Sequence, residues 1–282
     1  MFALKQYTSK RDFDDESKVL KDLTKTKIAS FPIVRDELSF EGMPSIVMDL
    51  YDSSLLTLKA KEQLSEADIF SIAIQMTQVL ASLHSHGYVH CDVKPDNIML
   101  TRERTVVLID FGLAHKFVDE SGTHMPEQKV RTFKGTWMYS SKNSVQRLRQ
   151  TRRDDLESLL YVVMRLCGVR MPWMPPNVTP NKKNFFKEMG LKKRNMSDAE
   201  IQRRLPERFR ALYMEIRTIG YATKPDYEKI CKYYEDLLDG PFPLEDKSRD
   251  SSCQLALDQA SMNRATRNDF SNITIMEKKS VR

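Results

Sequence analysis

The residues of this chain that could do chemistry crowd into one stretch, Tyr88 to Gly112, YVHCDVKPDNIMLTRERTVVLIDFG. Asp92 stands two positions after His90 and two before Lys94, Asn97 follows Asp92 by five, and Asp110 opens the triplet Asp110-Phe111-Gly112. Moving a phosphoryl group needs a carboxylate to take the attacking hydroxyl's proton, oxygen ligands for magnesium, and a cation against the charge that gathers on the phosphate. Asp92 suits the first role, Asn97 and Asp110 the second, Lys94 the third. Each fragment alone is bland, because Asp-Phe-Gly is a common turn and Asp-x-Lys-Pro reads as a solvated loop. Their spacing carries the weight. Between Asn97 and Asp110, Ile-Met-Leu, the polar Thr-Arg-Glu-Arg-Thr and Val-Val-Leu-Ile read as a hairpin that returns both metal ligands to one cleft.

Helices must hold that loop in place. Ser65 opens one, with Asp68 three residues on as an approximate capping box, and Ile69, Ile72, Met76, Val79 and Leu83 recur at helical spacing until Gly87 ends it. The stripe is core, and His90 beyond it reads as a packed histidine rather than a proton carrier. Residues 152–168, RRDDLESLLYVVMRLCG, form an apolar helix after a charged start, with Asp155 placed to accept hydrogen bonds from the backbone of the Asp92 loop. Upstream, DDESKVLKDL is helical, and strands are expected at residues 31–34 and 45–50, separated by the polar RDELSFEGMP. Residues 113–134 are polar and broken by Gly122 and Pro126, as in a loop that positions a substrate. Residues 171–180 make a second loop, helical patterns run through 199–219 and 227–238, and the end of the chain reads as a flexible polar tail.

With 282 residues, 40% of them hydrophobic and 30% charged, the chain can bury one large core or two lobes. The net charge of +6 is spread among acids rather than run together, so it suits an acidic or phosphorylated partner better than a nucleic acid. Cys91, Cys167, Cys231 and Cys253 lack metal-site or paired spacing and read as reduced thiols. No apolar run is long enough to cross a membrane and the N-terminus lacks a signal-like apolar core, which gives a cytoplasmic or nuclear expectation.

HCDVKPDN resembles the H-R-D-L-x-x-x-N catalytic loop of protein kinases, with Cys91 in place of the arginine that often grips an activation-segment phosphate. Phe2, Ala3, Leu4 and Lys5 resemble the V-A-I-K strand, and Glu16 is placed to pair with its lysine. By the same resemblance Met48 walls a nucleotide pocket, Asp49 and Tyr51 offer backbone groups to adenine, and Ala3 and Met99 line the slot. Only four residues precede Lys5, so the glycine-rich loop that covers phosphates is expected to be missing from this chain.

YVHCDVKPDN, KGTWMYSS (134–141), RRDDLESL (152–159), MPW (171–173) and KPDY (224–227) are similar to the casein kinase 1 superfamily over about residues 3–240, and VRTFKGT is closest to its tau-tubulin kinase and nematode-type branches. That resemblance implies an α+β, bilobal protein kinase-like fold. It divides into a partial small lobe at 1–50, a mainly helical lobe at 51–245 and a tail at 246–282. It implies a serine/threonine kinase that uses ATP and Mg2+. Asp92 would be the proton acceptor, Lys94 the transition-state cation, Thr136 a hydroxyl bonded to both, Lys5 and Glu16 the phosphate anchor, and Asn97 and Asp110 the metal ligands. Met138 stands where the superfamily carries an arginine for primed substrates, with Arg152, Arg153 and Lys142 as alternative sources of positive charge. The expected partner is a protein with acceptor Ser or Thr, acidic in character, and the expected state is monomeric. The competing expectation is a kinase-fold scaffold with impaired catalysis, or an incomplete gene product.

Overall fold

The computed structural model describes residues 1–61, 63–174 and 185–240, together with the backbone of residues 273–276. The chain begins with β1 (Phe2–Gln6), followed by α1 (Lys10–Thr26). Ser9 caps α1 by accepting from the Asp12 amide, and the helix stops where Lys27 turns left-handed. Its buried face is Val19, Leu20 and Leu23. β2 (Val34–Phe40) and β3 (Met43–Asp49) form a hairpin whose turn residues Glu41 and Gly42 have φ of 52° and 77°, the double left-handed geometry that matches strand twist. β3 then pairs antiparallel with β1, setting Ala3 opposite Met48 and Lys5 opposite Ile46.

This corrects the expectation for residues 31–44. The polar RDELSFEGMP is most of β2 and its turn; Arg35, Asp36 and Ser39 point to solvent, so an edge strand reads as a linker. Phe31, expected in a strand, is buried in the preceding turn and meets Phe111 edge-on at 6.2 Å.

The larger part is mainly helical. After β4 (Ser53–Ser54) and α2 (Leu55–Ala60), α3 (Glu66–Ser85) starts at Ser65 with a complete capping box to Asp68. Leu80 and Leu83 on its inner face are fully buried, each worth about 1.5–3 kcal/mol of transfer free energy. β5 (Tyr88–Val89) leads into the Asp92 loop, and β6 (Ile98–Leu100) and β7 (Val106–Leu108) form the hairpin that returns the chain to Asp110. β8 (His115–Lys116) pairs back onto β5. α4 (Lys142–Val145) and α5 (Arg152–Leu166) follow, then α6 (Phe185–Asn195), α7 (Asp198–Arg204), α8 (Glu207–Thr218) and α9 (Tyr227–Asp239). α3 is the central helix, packed against both α5 and α9. Among the described residues no helix is long and apolar enough to cross a membrane.

Three further differences from the sequence expectation appear. α6 lies in a stretch for which no element was expected. The helix expected over 199–219 is two helices, because Pro206 lacks an amide to continue α7 and instead caps α8. The expected flexible tail contains a strand, β9 (Ile273–Met276), paired antiparallel to β1 in a sheet of order β2-β3-β1-β9; the rest of that tail lies outside the described residues, as do Cys253 and most of the 171–180 loop.

Candidate active site

The loop between β5 and β6 is pinned from below by α5. Asp155 accepts from the His90 amide at 2.7 Å, from the Cys91 amide at 2.8 Å and from His84 Nε2 at 2.9 Å. Burial acts to raise the Asp155 carboxyl, and the donors from His84 and the loop amides outweigh it and hold it below the ordinary carboxylate range. Burial lowers His84, so the ring is neutral; with Nε2 donating to Asp155, Nδ1 accepts from the Tyr227 hydroxyl at 2.7 Å. The tyrosine of KPDY thus closes a chain of bonds to the loop.

Above this anchor, Asp92 is 9% exposed and Lys94 6%. Asp92 Oδ2 lies 3.0 Å from Lys94 Nζ, and Asp92 Oδ1 accepts from Thr136 Oγ1 at 2.8 Å. Thr136 comes this close because Gly135 precedes it at φ 109°, where an added Cβ would meet Cys91 O and Ser140 Oγ at 2.9 Å. Asn97 Nδ2 donates to Asp92 O at 3.0 Å, which directs the side-chain amide and leaves its oxygen as an acceptor.

Asp110 arrives from the other side of the hairpin with φ 65°, a left-handed conformation that costs a non-glycine residue about 1–3 kcal/mol. Phe111 explains what holds it there: it is buried, edge-on to His90 at 5.1 Å, while the His90 ring bonds Ile109 O at 3.0 Å. Lys5 Nζ reaches Asp110 Oδ1 at 2.7 Å and the two Glu16 oxygens at 2.9 and 2.8 Å. Burial disfavours both carboxylates; it wins at Glu16, whose carboxyl is raised, whereas Lys5 overcomes it at Asp110 and holds that group far below its usual range. Asp110 is 29% exposed and presents an ionised oxygen to the cleft.

These donors fit magnesium and a nucleotide triphosphate. Among the described residues no three His, Cys, Asp or Glu side chains gather to hold a metal alone. Magnesium dehydrates reluctantly and is ordinarily held by one or two protein oxygens together with phosphates, which the Asp110 carboxylate and Asn97 amide oxygen match.

Residues 1–260 match the protein kinase domain. The chain belongs to the protein kinase domain family. It is similar to a probable casein kinase I homolog of Encephalitozoon cuniculi (29% identical, covering 75% of this chain and 66% of that protein). It is also similar to casein kinase I homolog 1 of Saccharomyces cerevisiae (32%, covering 71% and 38%) and to a casein kinase I homolog of Kluyveromyces lactis (34%, covering 71% and 39%). The chain spans about two-fifths of the length of these two yeast relatives.

Within this kinase domain, the sheet register sets Ala3 beside Met48, both buried, and Phe2 opposite Asp49. Met99 lies on β6 across from Ser54, two residues beyond Asn97. The Asp49 carboxylate is gripped by Arg35 through two 2.8 Å bonds, a clamp the sequence did not announce, and burial pushes the Tyr51 hydroxyl up to about 12.

The positive charges expected to substitute for an arginine at Met138 are engaged elsewhere. Arg152 bonds Ala222 O and lies over Phe117, Arg153 bonds Ile219 O, and Lys142 pairs with Asp198. Met138 itself is buried. A cleft of about 680 Å³ beside Cys91 is instead lined by Lys18, Lys116, Arg131, Lys134 and Arg149, together with Asp15.

Sequence reasoning missed Lys193. This α6 side chain is fully buried, with Nζ donating to Ser140 O at 2.8 Å and Met138 O at 3.2 Å, and lying 4.0 Å from the Trp173 ring centroid and 4.5 Å from that of Tyr161. Burial pulls its ammonium down to about 7, against the charge of the Glu157 carboxylate, which favours the charged form. It ties down the segment that carries Thr136. Lys193→Met, similar in length but without donors, is expected to free residues 137–140, read as tryptic cleavage after Lys134 about tenfold faster than in the parent chain. An unchanged cleavage rate would remove Lys193 from this role.

Proposed function

We propose that this chain is a serine/threonine protein kinase of the casein kinase 1 type, allied through VRTFKGT to the tau-tubulin kinase and nematode-type branches. The cluster of Asp92, Lys94 and Thr136 carries the reading. Asp92 takes the proton of the attacking serine or threonine hydroxyl as its oxygen bonds to the γ-phosphorus and the bond to the leaving ADP oxygen breaks. The Thr136 hydroxyl and Lys94 ammonium, each on one Asp92 oxygen, fix the carboxylate's orientation, and Lys94 meets the charge spreading over the transferring group. Lys5, anchored by Glu16, faces the nucleotide phosphates. Magnesium, when bound, would be held by Asp110 and Asn97 and would supply charge that neutralises the phosphate oxygens.

Acidic protein segments are the proposed substrates, supported by the net charge of +6 and by the cations of the cleft beside Cys91. The test is transfer of labelled γ-phosphate from MgATP to acidic peptides bearing a single Ser, Thr or Tyr. Label is expected on Ser or Thr and not on Tyr, with a rate that falls as salt rises. Label on the tyrosine peptide alone, or no transfer by chain that binds MgATP, overturns the reading.

A further inference from the structure

β1 carries Lys5 as its last residue but one, with Ala3 and Leu4 buried, and an edge left unpaired on such a strand invites pairing with another segment. β3 satisfies one edge over Phe2–Gln6. The other edge is met by β9, whose register runs Phe2 to Met276, Ala3 to Ile275, Leu4 to Thr274 and Lys5 to Ile273. The sequence suits that use. Ile-Thr-Ile-Met is a β-branched island in a polar stretch, and the Glu-Lys-Lys that follows it is the kind of charged flank that keeps a strand from adding further partners. Residues 240–272 separate α9 from β9, and a chain of that length spans about 100 Å at full extension, far more than one domain requires.

We propose that the outer edge of β1 is a strand-binding site and that its ligand is this chain's own residues 273–276, docked in cis. Main-chain pairing of this kind lends affinity through hydrogen bonds along the edge, and tethering raises the local concentration of a segment too short to bind well when free. The docked strand completes the sheet and flanks β1 on the side that β3 leaves open, where Leu4 and Phe2 face it, which steadies the strand that sets the Lys5 ammonium on Glu16 and Asp110.

The experiment is hydrogen exchange on the full chain carrying Thr274→Pro and Ile275→Pro together, which removes two amides and the freedom to pair. The amides of Phe2 and Leu4, which face β9, are expected to exchange about tenfold faster or more, while those of Ala3 and Lys5, which face β3, and those of α3 and α5 keep their parent rates. The paired control, Thr274→Val with Ile275→Val, should exchange like the parent. A synthetic peptide of residues 270–279 added to the proline variant should restore protection of Phe2 and Leu4 saturably, and a scrambled peptide should not. Unchanged exchange in the proline variant overturns the proposal, and so does failure of the peptide to restore it. Protection that declines on dilution, with the protein eluting as a dimer, would assign the strand to a second copy and overturn docking in cis. None of these readouts uses phosphoryl transfer, so the activity proposed above can fail without touching this result.

Discussion

Asp92→Asn is expected to lower kcat for peptide phosphorylation by about 10²–10⁴-fold, the usual worth of a positioned proton acceptor. An amide keeps the size of the side chain and still offers one oxygen, so the Thr136 hydroxyl or the Lys94 ammonium retains a partner, but it cannot take a proton. The substitution also removes a carboxylate charge that lies 3.0 Å from the Lys94 ammonium, so the cleft becomes more positive. MgATP affinity is therefore expected to hold or rise while turnover collapses, a split that simple unfolding cannot produce. The measurement is kcat alongside nucleotide Kd from titration. A kcat within about threefold of the parent would mean that Asp92 is not the acceptor.

The grouping of the site was legible because covalent spacing forces much of it. Asp92 and Asn97 share one loop, and the apolar runs of β6 and β7 leave Asp110 nowhere to go but back beside it. Lys5 was legible only through its resemblance to a strand motif, since a lysine near a chain end is ordinarily solvated. Asp155 could be placed from an acidic helix start, whereas its bond to His84 depends on α3 crossing α5. Other features had no local signal. Nothing in LKKRN distinguishes Lys193 from its solvated neighbours, because its burial comes from Trp173 and Tyr161 on other parts of the chain. β2 was hidden by solvent-facing charges, and β9 by its four-residue length in a polar setting. Pro206 did carry a signal for the α7–α8 break, which the continuous apolar pattern of 199–219 masked.

Asp155→Ala should be the most destabilising single change in the loop's support. It removes a buried carboxylate that accepts two backbone amides and one imidazole, and the small side chain leaves those donors dry and without acceptors. Each buried unsatisfied donor costs about 1–3 kcal/mol, so a loss of about 3–5 kcal/mol is expected, lowering the thermal midpoint by about 10 °C or more. The pH dependence gives a second, independent readout. The folded Asp155 carboxyl lies below its unfolded value of about 3.9, so the unfolded chain binds the proton first as pH falls. Its contribution is therefore present in full above about pH 4 and is lost as pH drops through the folded value. In the alanine variant that portion of acid destabilisation disappears, and the stability gap between parent and variant narrows on acidification below pH about 4. Denaturant melts at neutral and acid pH measure both effects. A gap that stays constant across that range would mean that Asp155 is held by packing and that its charge contributes nothing to the loop.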